Sequence, residues 1–137
     1  CNNIIPYNLS LFDKKDIINL QISNYHSGLN RLHNKTQENS KSILSPIFTF
    51  DEIFTHNIKT INLLKIDVEG AEMNILKGMQ YFLKNNYIKT LCIEITPKFL
   101  NDFGYTKEDI YKYLMQFGYI AKFNSNEWQY DEIFTLK

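Results

Sequence analysis

Asp67, Glu69 and Glu72 bring three carboxylates to a short stretch around Gly70. Ahead of them runs a mostly apolar segment, INLLKIDV, at residues 61–68. Behind them Ile75, Leu76, Met79, Phe82 and Leu83 recur at helical spacing. The acids therefore sit where a strand ends and a helix begins. In open α/β sheets ligands bind outside the carboxyl ends of the strands. Carboxylates placed there could bind a metal, accept hydrogen bonds from a ligand, or act as a base. Glu69 and Glu72 also have a plainer role, because acids at a helix start complement its dipole. Asp67 is thus the first functional candidate and Glu72 ranks lower.

Other reactive side chains are less informative. His26, His33 and His56 fall in polar connections and read as solvated loop residues. No Cys/His spacing suggests zinc. Two acids in one turn are commonplace, so no metal is expected. Trp128 and the many Tyr and Phe residues read as core and sheet packing. No glycine loop of the phosphate-cradling kind is seen.

The elements that must position these groups can be read from periodicity. Residues 61–68 and 89–96 form two buried parallel strands, the second closed by Pro97. A helix runs from Ala71 to about Asn85 between them. Thr106 and Asp109 have the spacing of a capping box, opening a second helix with Ile110, Tyr113, Leu114 and Phe117 on one face. Gly118 stops it. Residues 119–123 and 128–136, joined by a turn, form a terminal antiparallel hairpin. Further upstream, residues 4–12 read as a strand and residues 17–22 as an edge strand. Residues 24–46 are polar and read as a long connection with room for a short strand or helix. This is an α/β order with crossover helices.

Composition sets the outer limits. The chain has 137 residues, 44% hydrophobic and 15% aromatic, which suits one packed domain. Fifteen basic and fifteen acidic residues cancel, so nothing electrostatic points to nucleic acid or to an anionic membrane. No apolar stretch reaches the roughly 18 residues that span a bilayer. Cys92 lies in the apolar run LCIEI and reads as a buried hydrophobe. With only Cys1 besides, a disulfide framework is not expected and a reducing cytoplasm fits.

The segment at 63–79, LLKIDVEGAEMNILKGM, resembles the segment that marks FkbM-type methyltransferases. Other pieces agree in order. Thr49-Phe50-Asp51 resembles the TLD ahead of that strand, and Ser10-Leu11-Phe12-Asp13 resembles the end of the family's third strand. Ser27-Gly28-Leu29 resembles a Ser-rich stretch between them, and Glu94 resembles the acid of the following strand.

The resemblance implies a Rossmann-like class I methyltransferase fold in which strands three to seven are present and the first two are missing. Residues 1–45 would supply strand three and an irregular connection, and residues 46–137 strands four to seven with two helices. It implies S-adenosylmethionine as cofactor and a small hydroxylated acceptor or sugar. By carry-over, Asp67, Glu94 and Glu69 are the catalytic candidates, and Asp67, Ser10 and Asp13 the cofactor-binding ones. The reading frame is expected to continue upstream of Cys1. The family's strand order is three-two-one-four-five-seven-six, so the ordered unit should be a four-five-seven-six sheet. Residues 1–45 should then be poorly packed, displaced, or paired with the open edge of strand four. Two alternatives remain: an inactive remnant acting as an interaction module, and a metal-dependent phosphate-transfer enzyme.

Overall fold

The computed structural model describes residues 3–22, 31–32, 41–56 and 58–137. Cys1, His26, His33, the Ser27-Gly28-Leu29 stretch and much of the expected polar connection lie outside them. The described residues form a mixed α/β arrangement with two four-stranded sheets and five helices.

The C-terminal sheet contains β5 (Leu64–Ile66), β6 (Thr90–Ile95), β7 (Tyr119–Ala121) and β8 (Tyr130–Leu136), in the order β5-β6-β8-β7. β5 and β6 run parallel, with Leu64 opposite Leu91 and Ile66 opposite Ile93. β8 lies antiparallel between β6 and β7. This is the order expected for strands four, five, seven and six.

Burial alternates along β6. Leu91, Ile93 and Ile95 are buried, whereas Thr90, Cys92 and Glu94 are half-buried. The strands are therefore not covered on both faces as their apolar runs suggested, and Cys92 is not a core residue. Cross-strand partners share a face. The register Lys65–Cys92–Ile133 and Glu94–Asp131 thus assigns these residues to the more open side.

Five helices replace the two expected. α1 (Phe50–Phe54) begins at Thr49, whose side chain accepts from the Glu52 N–H while Glu52 reciprocates, a capping box. The single helix expected over 71–85 is broken at Gly78 into α2 (Glu72–Lys77) and α3 (Gln80–Lys84). Pro97 does close β6, but it also opens α4 (Pro97–Asp102), where the missing N–H of the ring is no loss. α5 (Lys107–Met115) starts at the expected Thr106/Asp109 capping box, and Gly118, with φ of 85°, supplies the left-handed turn after it. The apolar faces of α2, α3, α4 and α5 meet the buried face of the sheet around Leu76, Phe82, Leu91, Ile93, Leu100, Ile110 and Leu114, all fully buried. Trp128, expected in the packing, is 78% exposed.

The first sheet contains β1 (Ser10–Leu11), β2 (Asp16–Ile22), β3 (Arg31–Leu32) and β4 (Lys41–Phe48), in the order β1-β4-β2-β3. It corrects several expectations. The strand read over 4–12 shrinks to two residues, and Ile4 and Ile5 are exposed. β2 is interior, not an edge. Residues 41–46, read as part of the connection, belong to β4, an interior strand paired antiparallel with β2 and parallel with β1.

Among the described residues, this sheet forms no ladder with β5, so residues before 45 are not paired with that edge. Nor are they all loosely held. Leu11 packs on the main core, and the Asn74 side-chain amide donates to the Asp13 carboxylate at 2.9 Å. No helix among the described residues is long and apolar enough to cross a membrane.

Candidate functional site at the ends of β5 and β6

β5 ends with its last side chain, Ile66, in the core. The next residue, Asp67, turns outward, and its carboxylate is 3.0 Å from the ammonium of Lys65. Lys65 lies two positions earlier, on the same side of the strand. Beyond Val68 the chain makes a tight turn through two consecutive left-handed residues, Glu69 with φ of 55° and Gly70 with φ of 110°. Gly70 is required there on two counts. Its φ suits glycine, and a Cβ would come within 2.6 Å of the Phe99 carbonyl oxygen of α4.

This path brings three acids together. Carboxylate oxygens of Asp67, Glu69 and Glu94 all lie within 4.8 Å of one another. Glu94 arrives from the parallel neighbour β6, one residue before its end. Asp67 is exposed, and Glu69 and Glu94 are half-buried. The three catalytic candidates read from the sequence thus share one small region at the carboxyl ends of adjacent parallel strands. A set of acceptor-only groups suits a cationic ligand, a hydroxyl donor, or a hard divalent cation. Two acids in one turn are commonplace, but Glu94 brings the number to three.

Glu72 does not join the group. It is only 2% exposed, and its Oε1 accepts the Gly70 N–H at 3.0 Å. Burial pushes its carboxyl above the usual range, while the N–H groups of Gly70, Glu72 and Val68 pull the other way. Ser10 and Asp13, the other cofactor candidates, have partners of their own. The Ser10 hydroxyl is 2.8 Å from that of Ser45, and Asp13 is held by Asn74. Between them Leu11 reaches a cavity of about 260 Å³ that Phe50, Ile75, Met79 and the β5 residues through Asp67 and Val68 also line. β1 and the carboxylate region therefore border the same apolar space.

His56 is exposed in the turn after α1 and belongs to no acidic group. Cys92 is a free cysteine. Burial, with Asp131 and Asp67, raises its thiol against the lowering effect of Lys65, so it stays protonated at neutral pH. Asp51, carried by the TFD segment, is a supporting residue. Its carboxylate accepts the Tyr81 N–H at 2.8 Å and the Phe82 N–H at 3.4 Å, where α3 begins. Sequence reasoning missed Lys65 and Asn74. The spacing of two between Lys65 and Asp67 in a strand would have signalled the first. Nothing local signals the second, whose partner is 61 residues away.

The model of the methyltransferase FkbM domain family matches residues 7–121. The chain belongs to that family. A curated relative, Methyltransferase 1 of Beauveria bassiana (strain ARSEF 2860), is 49% identical over 39 residues, which is 26% of this chain and 16% of that protein. This chain therefore corresponds to only a small part of the relative's length. No solved structure matches it.

Proposed function

We propose that the site at the ends of β5 and β6 serves methyl transfer from S-adenosylmethionine to a hydroxyl of a small metabolite or sugar. The single observation that carries this is the meeting of Asp67, Glu69 and Glu94 within 4.8 Å at the ligand side of two parallel strands, in a chain of a methyltransferase family. The donor set fits the cofactor on one side, since carboxylates accept from an ammonium or ribose hydroxyls and favour a sulfonium charge nearby. When bound, S-adenosylmethionine supplies an electrophilic methyl group.

The chain's own residues have the remaining work. Asp67, the most exposed of the three acids, would accept the proton of the acceptor hydroxyl, a role worth about 10²–10⁴-fold in rate. Glu94 would form the second wall and Glu69 would orient the ligand. Holding acceptor and methyl in line is the larger demand, and can be worth roughly 7–11 kcal/mol. Ser10 and Asp13, on either side of Leu11 in the chain, are assigned to the adenine side, and Leu11 shares a cavity with Asp67. In this reading the sheet around the site is one half of a Rossmann-like methyltransferase domain, and the free Cys92 suits a reducing cytoplasm. The partner is a small molecule, with neither nucleic acid nor membrane called for. Neither the inactive-remnant nor the phosphate-transfer alternative gains support from the family match.

The test is transfer of a labelled methyl group from S-adenosylmethionine, by the complete protein, to a panel of sugars and other hydroxylated metabolites, with matched deoxy compounds. Labelled ether products from the hydroxylated set alone are expected. Equal labelling of the deoxy compounds would refute a hydroxyl acceptor, and no labelling at all would refute methyl transfer.

A further inference from the structure

Glu72 is a buried carboxylate that the proposed chemistry does not use. It stands at the first position of α2, and the residue before it, Ala71, makes no side-chain capping bond. Instead Glu72 reaches back, and its Oε1 takes the Gly70 N–H at 3.0 Å. Its other oxygen is buried and has no hydrogen-bond partner among the described residues. At 2% exposure it cannot touch a ligand in the solvent-facing site.

The turn it grips is the unusual part of the segment. Glu69 and Gly70 are both left-handed, and Gly70 is pressed against the Phe99 main chain. A non-glycine residue holds such a conformation only where its surroundings dictate it. Phe99 fixes the turn from one side and the Glu72 carboxylate from the other. Glu69 reaches Asp67 and Glu94 only because the chain reverses at this point.

We propose that Glu72 is a positioning residue: through the Gly70 N–H it sets the turn that holds the Glu69 carboxylate against Asp67 and Glu94. The proposal rests on the methyl-transfer reading for its kinetic consequence, while its structural part stands without it. Glu72 is then more than filler at a helix start, because what it must supply is an acceptor at one place and not volume.

Three substitutions separate these roles. Glu72→Gln keeps shape and acceptor, Glu72→Leu keeps approximate volume without an acceptor, and Glu72→Asp keeps charge but draws the acceptor back by one methylene. The readouts are exchange of the Gly70 amide by NMR, and kcat and KM for labelled methyl transfer by the complete protein. In the Leu variant the Gly70 amide should exchange at least about tenfold faster than in the wild type, and kcat should fall about 10²-fold with KM changed less than about threefold, as expected when a site is displaced by about an ångström. The Gln variant should restore both to within about threefold. A folded Leu variant with a protected Gly70 amide, or with wild-type kcat, overturns the proposal.

If the Leu variant does not fold, Glu72→Asp takes its place, with the same loss expected and the same contrary result. If the wild type transfers no methyl group, the functional reading fails by itself, and exchange at Gly70 still decides whether Glu72 holds the turn.

Discussion

Glu132 lies fully buried in the β7–β8 hairpin, and five donors reach its carboxylate: the Tyr111 hydroxyl at 2.6 Å and the N–H groups of Lys122, Phe123, Asn124 and Ile133. Burial alone would raise its pKa. The Tyr111 hydroxyl and the surrounding N–H groups outweigh burial and hold it below the usual value. A carboxylate with a depressed folded pKa adds stability above its unfolded pKa, and that stability is lost as pH falls through the folded value. Unfolding by urea as a function of pH should therefore show an acid-side loss that Glu132→Gln flattens. At neutral pH Glu132→Ala should cost about 2–4 kcal/mol, because buried N–H donors lose their acceptor. The strand over 128–136 was legible, but the inward placement of Glu132 with Tyr130 and Phe134 was not drawn from it. The donors that make an inward charge tolerable come from elsewhere, and so were not legible. Asp67, Glu69 and Glu94 were legible because strand ends and a long motif fix them. Ser10 and Asp13 were named from a weaker likeness, and their partners Ser45 and Asn74 were not legible.

At the scale of elements, the break between α2 and α3 was hidden by an unbroken apolar period through Met79, Phe82 and Leu83. Gly78 sits inside that period. A Cβ there would overlap the Phe12 carbonyl, so the break falls where the Phe12 main chain packs against the helix. α3 then needs a new source of acceptors for its first N–H groups, and Asp51 of α1 supplies them from a distance. Asp51→Ala should lower stability by about 1 kcal/mol, the usual worth of a capping acceptor, with the loss measured by chemical denaturation. An unchanged midpoint and slope would remove Asp51 from that role. The missed strand β4 has a similar explanation. KSILSPIF carries a proline, which argues against an interior strand. Yet Pro46 lies opposite Ile17 in a ladder formed along the whole of β2.

For the whole molecule, the C-terminal sheet was readable because its connections are local: two helical connections, each of a helix pair, and one hairpin. The N-terminal sheet was not, because β4 pairs with β1 and β2 from across a long polar stretch, and only long-range pairing defines it. Its docking rests on a few contacts, among them Phe12 over Gly78, Asp13 with Asn74, and Tyr7 edge-on to Phe54 at 5.5 Å. Gly78→Ala should therefore loosen β1 and the end of β4 while β6 and β8 keep their protection, as hydrogen exchange would report. Uniform loss across both sheets would mean that the two are one cooperative unit.

The central claim concerns Asp67, and the most direct measurement is labelled methyl transfer by the complete protein carrying Asp67→Asn, alongside its melting curve. The Asp67 side chain is 41% exposed and its ion pair is with a still more open Lys65, so the substitution should change stability by no more than about 0.5 kcal/mol. Transfer should nevertheless fall by about 10²-fold or more, as removal of a positioned base requires. An Asn variant that melts as the wild type does and transfers methyl groups at the wild-type rate would contradict the account.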